Sequence, residues 1–289
     1  MDKQLIGFIG IGVMGKSMTK NLIKAGFPVC IYTRTKEKAA DLLKNGVEWK
    51  TSPKDVAKSA DIIITMVGYP KDVEEIYFGD MGILNNAKPG TYVIDMTTSS
   101  PLLAKQICQV AQSKGIIALD APVSGGDIGA RDGKLAIMVG GEESAFEKLQ
   151  SVFSALGTTI RHLGPAGAGQ YTKMCNQIAI ASNMMGVAEA ICYAKKVGLD
   201  PTAVLETIST GAAGSWSLTN LAPRMIKNDF APGFFVKHFI KDMKIAIESA
   251  REINLNLPGL VLAEQLYEQL ANEGGENYGT QALIKLLDK

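Results

Sequence analysis

Near the start of the chain an apolar run, Leu5 to Ile9, meets Gly10-Ile11-Gly12-Val13-Met14-Gly15, and a helical pattern follows from Lys16 to Lys24. A strand that enters a Gly-x-Gly-x-x-Gly turn and leaves as a helix can do so in few folds. The first glycine permits the tight turn, the second clears the backbone for a close ligand, and the third lets helix and strand pack. The uncovered N–H groups and the dipole of the helix N-terminus then form an anion site suited to a pyrophosphate. The segment predicts a dinucleotide-binding βαβ unit, with Gly10, Ile11, Gly12, Val13, Met14 and Gly15 against the cofactor.

Further strand-like runs follow at Val29–Thr33, Ile62–Val67, Tyr92–Asp95, Ile116–Asp120 and Leu135–Val139. They are short, apolar and β-branched, as strands buried on both faces are. Helical stretches fall between them at Glu37–Lys44, Asp55–Lys58 and Pro101–Ser113. Repeated βα units predict a doubly wound parallel sheet of Rossmann type. From about Gly164 the strand pattern stops. After the glycine-rich Gly164 to Gly169, one helical pattern runs from Gln170 to Lys196, about 27 residues or roughly 40 Å. More helices are expected at Pro201–Ser209, Trp216–Lys227, Phe239–Ile253, Gly259–Glu273 and Gln281–Leu287. The expected architecture is α/β, with a Rossmann domain over residues 1–163 and an all-helical substrate and oligomerisation domain over 164–289, begun by a long interdomain helix.

With 289 residues, two domains are the natural partition. A formal charge of +1 provides no electrostatic reason to expect nucleic acid or a membrane surface as partner. Cys30, Cys108, Cys175 and Cys192 form no CxxC pair, and the chain has two histidines, which argues against a zinc site and a disulfide scaffold. No metal is expected. The longest uncharged apolar-rich run, Met174 to Ala188, is shorter than the roughly 20 residues of a membrane span. With no signal-like segment before the first strand, a cytoplasmic location is expected. The long helix carries Ile178, Ile180, Met184, Met185 and Val187 around its circumference, which points to a homodimer or homotetramer.

Three clusters carry chemistry. The second strand ends at Thr33-Arg34-Thr35, about 20 residues past the glycines, where an NAD site places an acidic residue on the ribose 2′-OH. Here an arginine stands there, able to pair with a 2′-phosphate. NADP(H) is therefore expected, with NAD as the alternative; the plainer explanation is a surface arginine. Next, Asp120-Ala121-Pro122-Val123-Ser124-Gly125-Gly126 offers uncovered N–H groups and a hydroxyl suited to a carboxylate, unless it is an ordinary loop. Finally, Gly169, Lys173, Asn176 and Gln177 share one face of the long helix. Either Lys173 serves a ligand beside the bare glycines, or it is a solvated end residue.

Taken together, and in this order along nearly the whole chain, the glycine turn, the Asp120–Gly126 stretch, Gly169-x-x-x-Lys173-x-x-Asn176 and Lys241-Asp242 resemble the β-hydroxyacid dehydrogenase family, which includes 3-hydroxyisobutyrate dehydrogenase and tartronate semialdehyde reductase. The resemblance implies Lys173 as catalytic acid/base. It assigns Ser124, Gly125, Gly126 and Asn176 to a small carboxylate substrate, and Thr98 to substrate and nicotinamide ribose. Met66 and Val67 would line the cofactor and Lys241 would reach its nicotinamide side. Gln177 stands where the family has a second asparagine. The implied activity is hydride transfer between NADP(H) and a short 3-hydroxyacid, or a related hydroxyacid, or its semialdehyde. The alternatives are an imine reductase-like enzyme, whose relatives usually lack a lysine at this position, and a catalytically silent NADP-binding or interaction module.

Overall fold

In the computed structural model, which describes residues 4–288, the first apolar run forms β1 (Ile6–Ile9) and the glycine turn opens α1 (Val13–Lys24). Two compact units divide the chain. The first ends at Lys173 and the second begins at Met174.

The first unit holds β2 (Val29–Tyr32), α2 (Ala40–Lys44), β3 (Glu48–Trp49), α3 (Pro53–Ser59), β4 (Ile62–Thr65), α4 (Pro70–Phe78), β5 (Tyr92–Asp95), α5 (Pro101–Ser113) and β6 (Ile117–Asp120). Beyond these lie β7 (Val123–Ser124), α6 (Gly126–Asp132), β8 (Leu135–Val139), α7 (Glu143–Lys148), α8 (Gln150–Ser154) and β9 (Gly157–His162). The main sheet is parallel in the order β3-β2-β1-β4-β5-β6, so the strand sequence reverses between β1 and β4. Every residue of β1 and β4 is buried. Ile6, Phe8, Ile62 and Ile64 enter the core on one face, and Ile9 and Ile63 enter the core on the other. Burying each such side chain contributes roughly 1.5–3 kcal/mol. Leu135–Val139 does not join this sheet. It forms a second, three-stranded sheet, antiparallel to β7 and parallel to β9. Only Ala121 and Pro122 separate β6 from β7, and Met138 N–H bonds to Pro122 O (3.0 Å), so the chain turns into the new sheet there.

Caps fix where helices begin. Ser52 Oγ accepts from Asp55 N (3.2 Å) before Pro53, and Ser100 Oγ accepts from Leu103 N (3.4 Å) before Pro101. Both are N-caps followed by a proline at the first helical position, where its missing N–H costs nothing.

The long helix α9 (Ala168–Lys196) starts in the first unit. The second unit continues with α10 (Pro201–Ile208), α11 (Trp216–Asn220), α12 (Ala222–Ile226), α13 (Val236–Glu252), α14 (Pro258–Leu270) and α15 (Ile284–Leu287). The single helix expected over 216–227 breaks at Leu221, because Pro223 has no N–H to continue the ladder. Val236, Phe239, Ile240, Met243 and Ile247 recur along one face of α13 and enter its core. There Phe239 meets Tyr267 edge-on (5.0 Å between centroids), and the Tyr267 hydroxyl donates to Thr280 O (2.8 Å). Trp216 is 67% exposed and belongs to no core. Among the described residues, the four cysteines are free thiols, no cluster of metal-ligating side chains occurs, and no helix is long and apolar enough to cross a membrane.

Candidate active site

In an open parallel sheet, ligands lie beyond the carboxyl ends of the strands, at the reversal of strand order. Here that is the end of β1 beside β4. Gly10 has φ +103°, and a Cβ there would stand 2.2 Å from Met66 O and 3.0 Å from Val67 Cγ1. Only glycine fits between the two turns. Gly15 is equally constrained, its Cβ falling 1.9 Å from Gly10 O. Gly12 differs: it is the N-cap of α1, with no side-chain cap and open space where a side chain would project. Gly12 and Val13 are exposed, and no acidic residue occupies the first turn of α1. This is a cradle that a side chain would fill, at the positive end of a three-turn helix. The residues present fit a dinucleotide pyrophosphate.

Arg34, just past β2, has an exposed side chain and pairs with Asp72 (3.1 Å), whose other oxygen accepts from Tyr69 N–H (3.1 Å) at the start of α4. Asp72 thus tethers the guanidinium to a fixed helix end. Thr33 is buried, and Thr35 precedes a short 3₁₀ turn, Lys36–Ala39.

Beyond β5, Thr97 Oγ1 accepts from Val67 N–H (3.0 Å), which joins the turn after β4 to the turn after β5. Thr97 and Ser99 are buried, and Thr98 between them is half-buried. Asp95 and Asp120, the last residues of β5 and β6, are paired in register and both nearly fully buried. Asp120 accepts from Gly167 N–H (2.7 Å) and Gln170 N–H (2.8 Å), capping the entry to α9. Its carboxyl is raised by burial, against those backbone bonds that lower it. Asp95 accepts from Thr65 Oγ1 (2.8 Å) and Thr97 N–H (3.1 Å). Burial, with a smaller contribution from the Asp120 charge, still pushes it up to about 6.

This shift has a sign. A carboxyl whose folded pKa lies above its unfolded value holds its proton longer in the native state. Its contribution to stability therefore falls as pH rises from about 4 to about 6. An asparagine side chain in its place would keep an acceptor for both donors without the charge. Asp95→Asn is expected to gain on the order of 2 kcal/mol over wild type between pH 4.5 and pH 7.5, measured by urea unfolding. A constant difference between the two proteins across that range contradicts the assignment.

Lys173 is 7% exposed and donates from Nζ to Val123 O (2.9 Å), the residue before Ser124. It is not a solvated end residue. Ser124 closes β7, while Gly125 (φ +129°) and Gly126 (φ +63°) form the entry to α6. The first unit thus brings Lys173 to the Ser124–Gly126 turn, and the glycine turn to Met66, Val67 and Thr97. In the second unit, Asn176 Nδ2 donates to Gln177 Oε1 (2.6 Å) and Gln177 Nε2 to the buried Asp242 Oδ2 (2.6 Å). Lys241 pairs with that same carboxylate (2.9 Å). Gln177 therefore links Asn176 to the Lys241-Asp242 pair. Asp72, Asp95, Gln170 and the capping role of Asp120 escaped the sequence reading. Acidic residues ending apolar strands were a visible signal for two of them. Gln170 had none.

Comparison with known proteins identifies the family. Residues 5–164 match the family model described as the NAD-binding domain of 6-phosphogluconate dehydrogenase, and residues 167–287 match that of NADP-dependent 3-hydroxyisobutyrate dehydrogenase. The chain is 62% identical to the oxidoreductase YkwC of Bacillus subtilis, over 98% of this chain and 99% of that one. It is 38% identical to the 2-hydroxy-3-oxopropionate reductase of Escherichia coli, over 98% and 97%. A Mycobacterium tuberculosis 3-hydroxyisobutyrate dehydrogenase structure with L-serine superposes with a TM-score of 0.92 at 31% identity, covering 99% and 100%. A nicotinamide-binding Rossmann unit, a lysine-bearing helix and relatives of nearly equal length lead to one conclusion: the chain belongs to the β-hydroxyacid dehydrogenase family of NAD(P)-dependent oxidoreductases acting on CH–OH groups.

Proposed function

We propose that this enzyme interconverts a short 3-hydroxyacid and its semialdehyde, prefers NADP(H), and uses Lys173 as general acid/base. The observation that carries the reading is the buried Lys173 ammonium, held by Val123 O beside the Ser124-Gly125-Gly126 turn. The bound nicotinamide supplies or accepts the hydride. During reduction, Lys173 delivers a proton to the carbonyl oxygen and stabilises the negative charge developing there. During oxidation, the same nitrogen takes the hydroxyl proton. Ser124 and the glycine N–H groups supply donors for the substrate carboxylate, and Asn176 is assigned to the substrate. The L-serine in the M. tuberculosis structure, itself a carboxylate with a hydroxyl on its third carbon, supports a substrate of this class. The test is cofactor consumption with tartronate semialdehyde, succinic semialdehyde or glyoxylate. Reduction of tartronate semialdehyde, which yields a 3-hydroxyacid, is expected; turnover of succinic semialdehyde or glyoxylate alone, whose products are a 4- and a 2-hydroxyacid, or of none of the three, counts against the reading.

Arg34 supports the cofactor preference, since its guanidinium sits on the strand end that meets the ribose 2′ position in this fold. Charge-assisted bonds to a phosphate contribute about 1.5–3 kcal/mol. Arg34→Ala is expected to raise the KM for NADPH by roughly 10- to 100-fold and that for NADH by less than about twofold. Equal changes with both cofactors would remove Arg34 from the 2′-phosphate role.

A further inference from the structure

The five residues between β5 and α5, 96–100, lie in neither strand nor helix; backbone bonds hold the two ends, Met96 N–H to Thr65 O (2.9 Å) and Ala104 N–H to Ser100 O (3.1 Å), with the peptide groups of 97–99 between them. Two of those groups are held by one side chain. Gln170 Nε2 donates to Thr97 O (2.7 Å), and Gln170 Oε1 accepts from Ser99 N–H (3.0 Å). A carbonyl only accepts and a peptide N–H only donates, so both ends of the amide are assigned by chemistry. Gln170 is fully buried, and its own N–H is fixed by Asp120 Oδ2 (2.8 Å). Thr97 is in turn fixed by Asp95 Oδ1 (3.1 Å, through its N–H) and by Val67 N–H (3.0 Å, through its Oγ1). The residue between the clamped groups is Thr98, and Lys173 lies three residues after Gln170 on α9.

We propose that Gln170 is a positioning residue: its side-chain amide grips the two peptide groups flanking Thr98 and holds that residue at a set distance from the helix start that carries Lys173. The proposal rests on the reading of Lys173 and Thr98 in the preceding subsection. Gln170 touches neither substrate nor cofactor in this role. It acts by keeping the turn after β5 in register with the first turn of α9. Small displacements of a positioned group cost rate out of proportion to their size, because proximity and orientation supply much of the acceleration.

The test compares Gln170→Leu, which removes both bonds, with Gln170→Glu, whose protonated carboxyl retains one donor and one acceptor. In Gln170→Leu, the Ser99 amide is expected to exchange with deuterium at least about tenfold faster, while amides inside β4 and β5 keep their protection. For semialdehyde reduction, kcat should fall roughly 10- to 100-fold. The primary isotope effect with NADPH deuterated at the transferred position should rise, since the hydride step becomes slower relative to product release. A mere loss of folded enzyme lowers kcat without moving that isotope effect. In Gln170→Glu, kcat should recover as pH falls and the carboxyl regains its donor, a trend absent from wild type.

Unchanged Ser99 exchange in Gln170→Leu overturns the clamp, as does a lowered kcat with an unaltered isotope effect. Should Gln170→Leu fail to fold, the pH profile and Ser99 exchange of Gln170→Glu decide in its place. Should wild type reduce no semialdehyde, the functional reading falls, and Ser99 exchange alone decides the clamp.

Discussion

Lys173→Ala is expected to lower kcat for semialdehyde reduction by on the order of 10³- to 10⁴-fold while leaving NADPH affinity within about twofold of wild type. A lysine of 7% exposure, donating to Val123 O at 2.9 Å, loses much of its freedom in holding that place. A purely structural role could be filled more cheaply by an apolar side chain. Alanine leaves Val123 O without this donor, a cost of about 1–2 kcal/mol, well short of unfolding an ordinary domain. The glycine turn, Arg34 and Val67 are separate from that contact, so binding should persist. NADPH binding followed by fluorescence, alongside single-turnover rates, separates the two effects. A variant with near-wild-type kcat removes Lys173 from the acid/base role. One that has also lost NADPH binding points to damage rather than chemistry.

Gly169→Ala is expected to be strongly damaging, costing about 3 kcal/mol or more of stability. A Cβ there would stand 2.3 Å from Met138 O, 2.7 Å from Asp120 O and 2.8 Å from Asp120 Oδ2. Two of the three obstacles are backbone carbonyls, one on β6 and one on β8. Neither can swing aside as a flexible side chain would. Gly140, across the same junction, is just as tight, with its Cβ 2.6 Å from Asp120 Oδ1 and 2.7 Å from Gly169 N. Relief would require α9 to back away from the sheet end, stretching the Asp120 cap and moving Lys173 with it. Urea denaturation should show the loss, and kcat should fall even in the folded fraction. Gly12→Ala is the control, because nothing lies within 4 Å of its Cβ. Equal stability of the Gly169 and Gly12 variants would contradict this packing account.

Much of the fold was legible because its signals are local. β-branched runs such as Ile62–Thr65 mark strands buried on both faces, and serine followed by proline marked the start of α5. Three strands were not legible. β3 and β7 have two residues each, too few for any period, and β9 mixes a glycine, an arginine and a histidine with largely exposed positions. Helix α4 went unexpected despite Pro70 at its first position. The Leu135–Val139 run was legible as a strand, but its sheet was not, because an apolar run does not name its partners.

By itself, the sequence determined the glycine turn, the arginine at the end of β2 and the lysine that opens the long helix, because residue type and short spacing carry that information. Only the tertiary structure decided what holds them. Asp120 reaches residues 47 and 50 positions away, and Gln170 bonds to groups 71 and 73 positions away. Such bonds depend on where β5, β6 and α9 come to rest. A buried amide or carboxylate shows nothing in the sequence of the distant peptide groups it will meet.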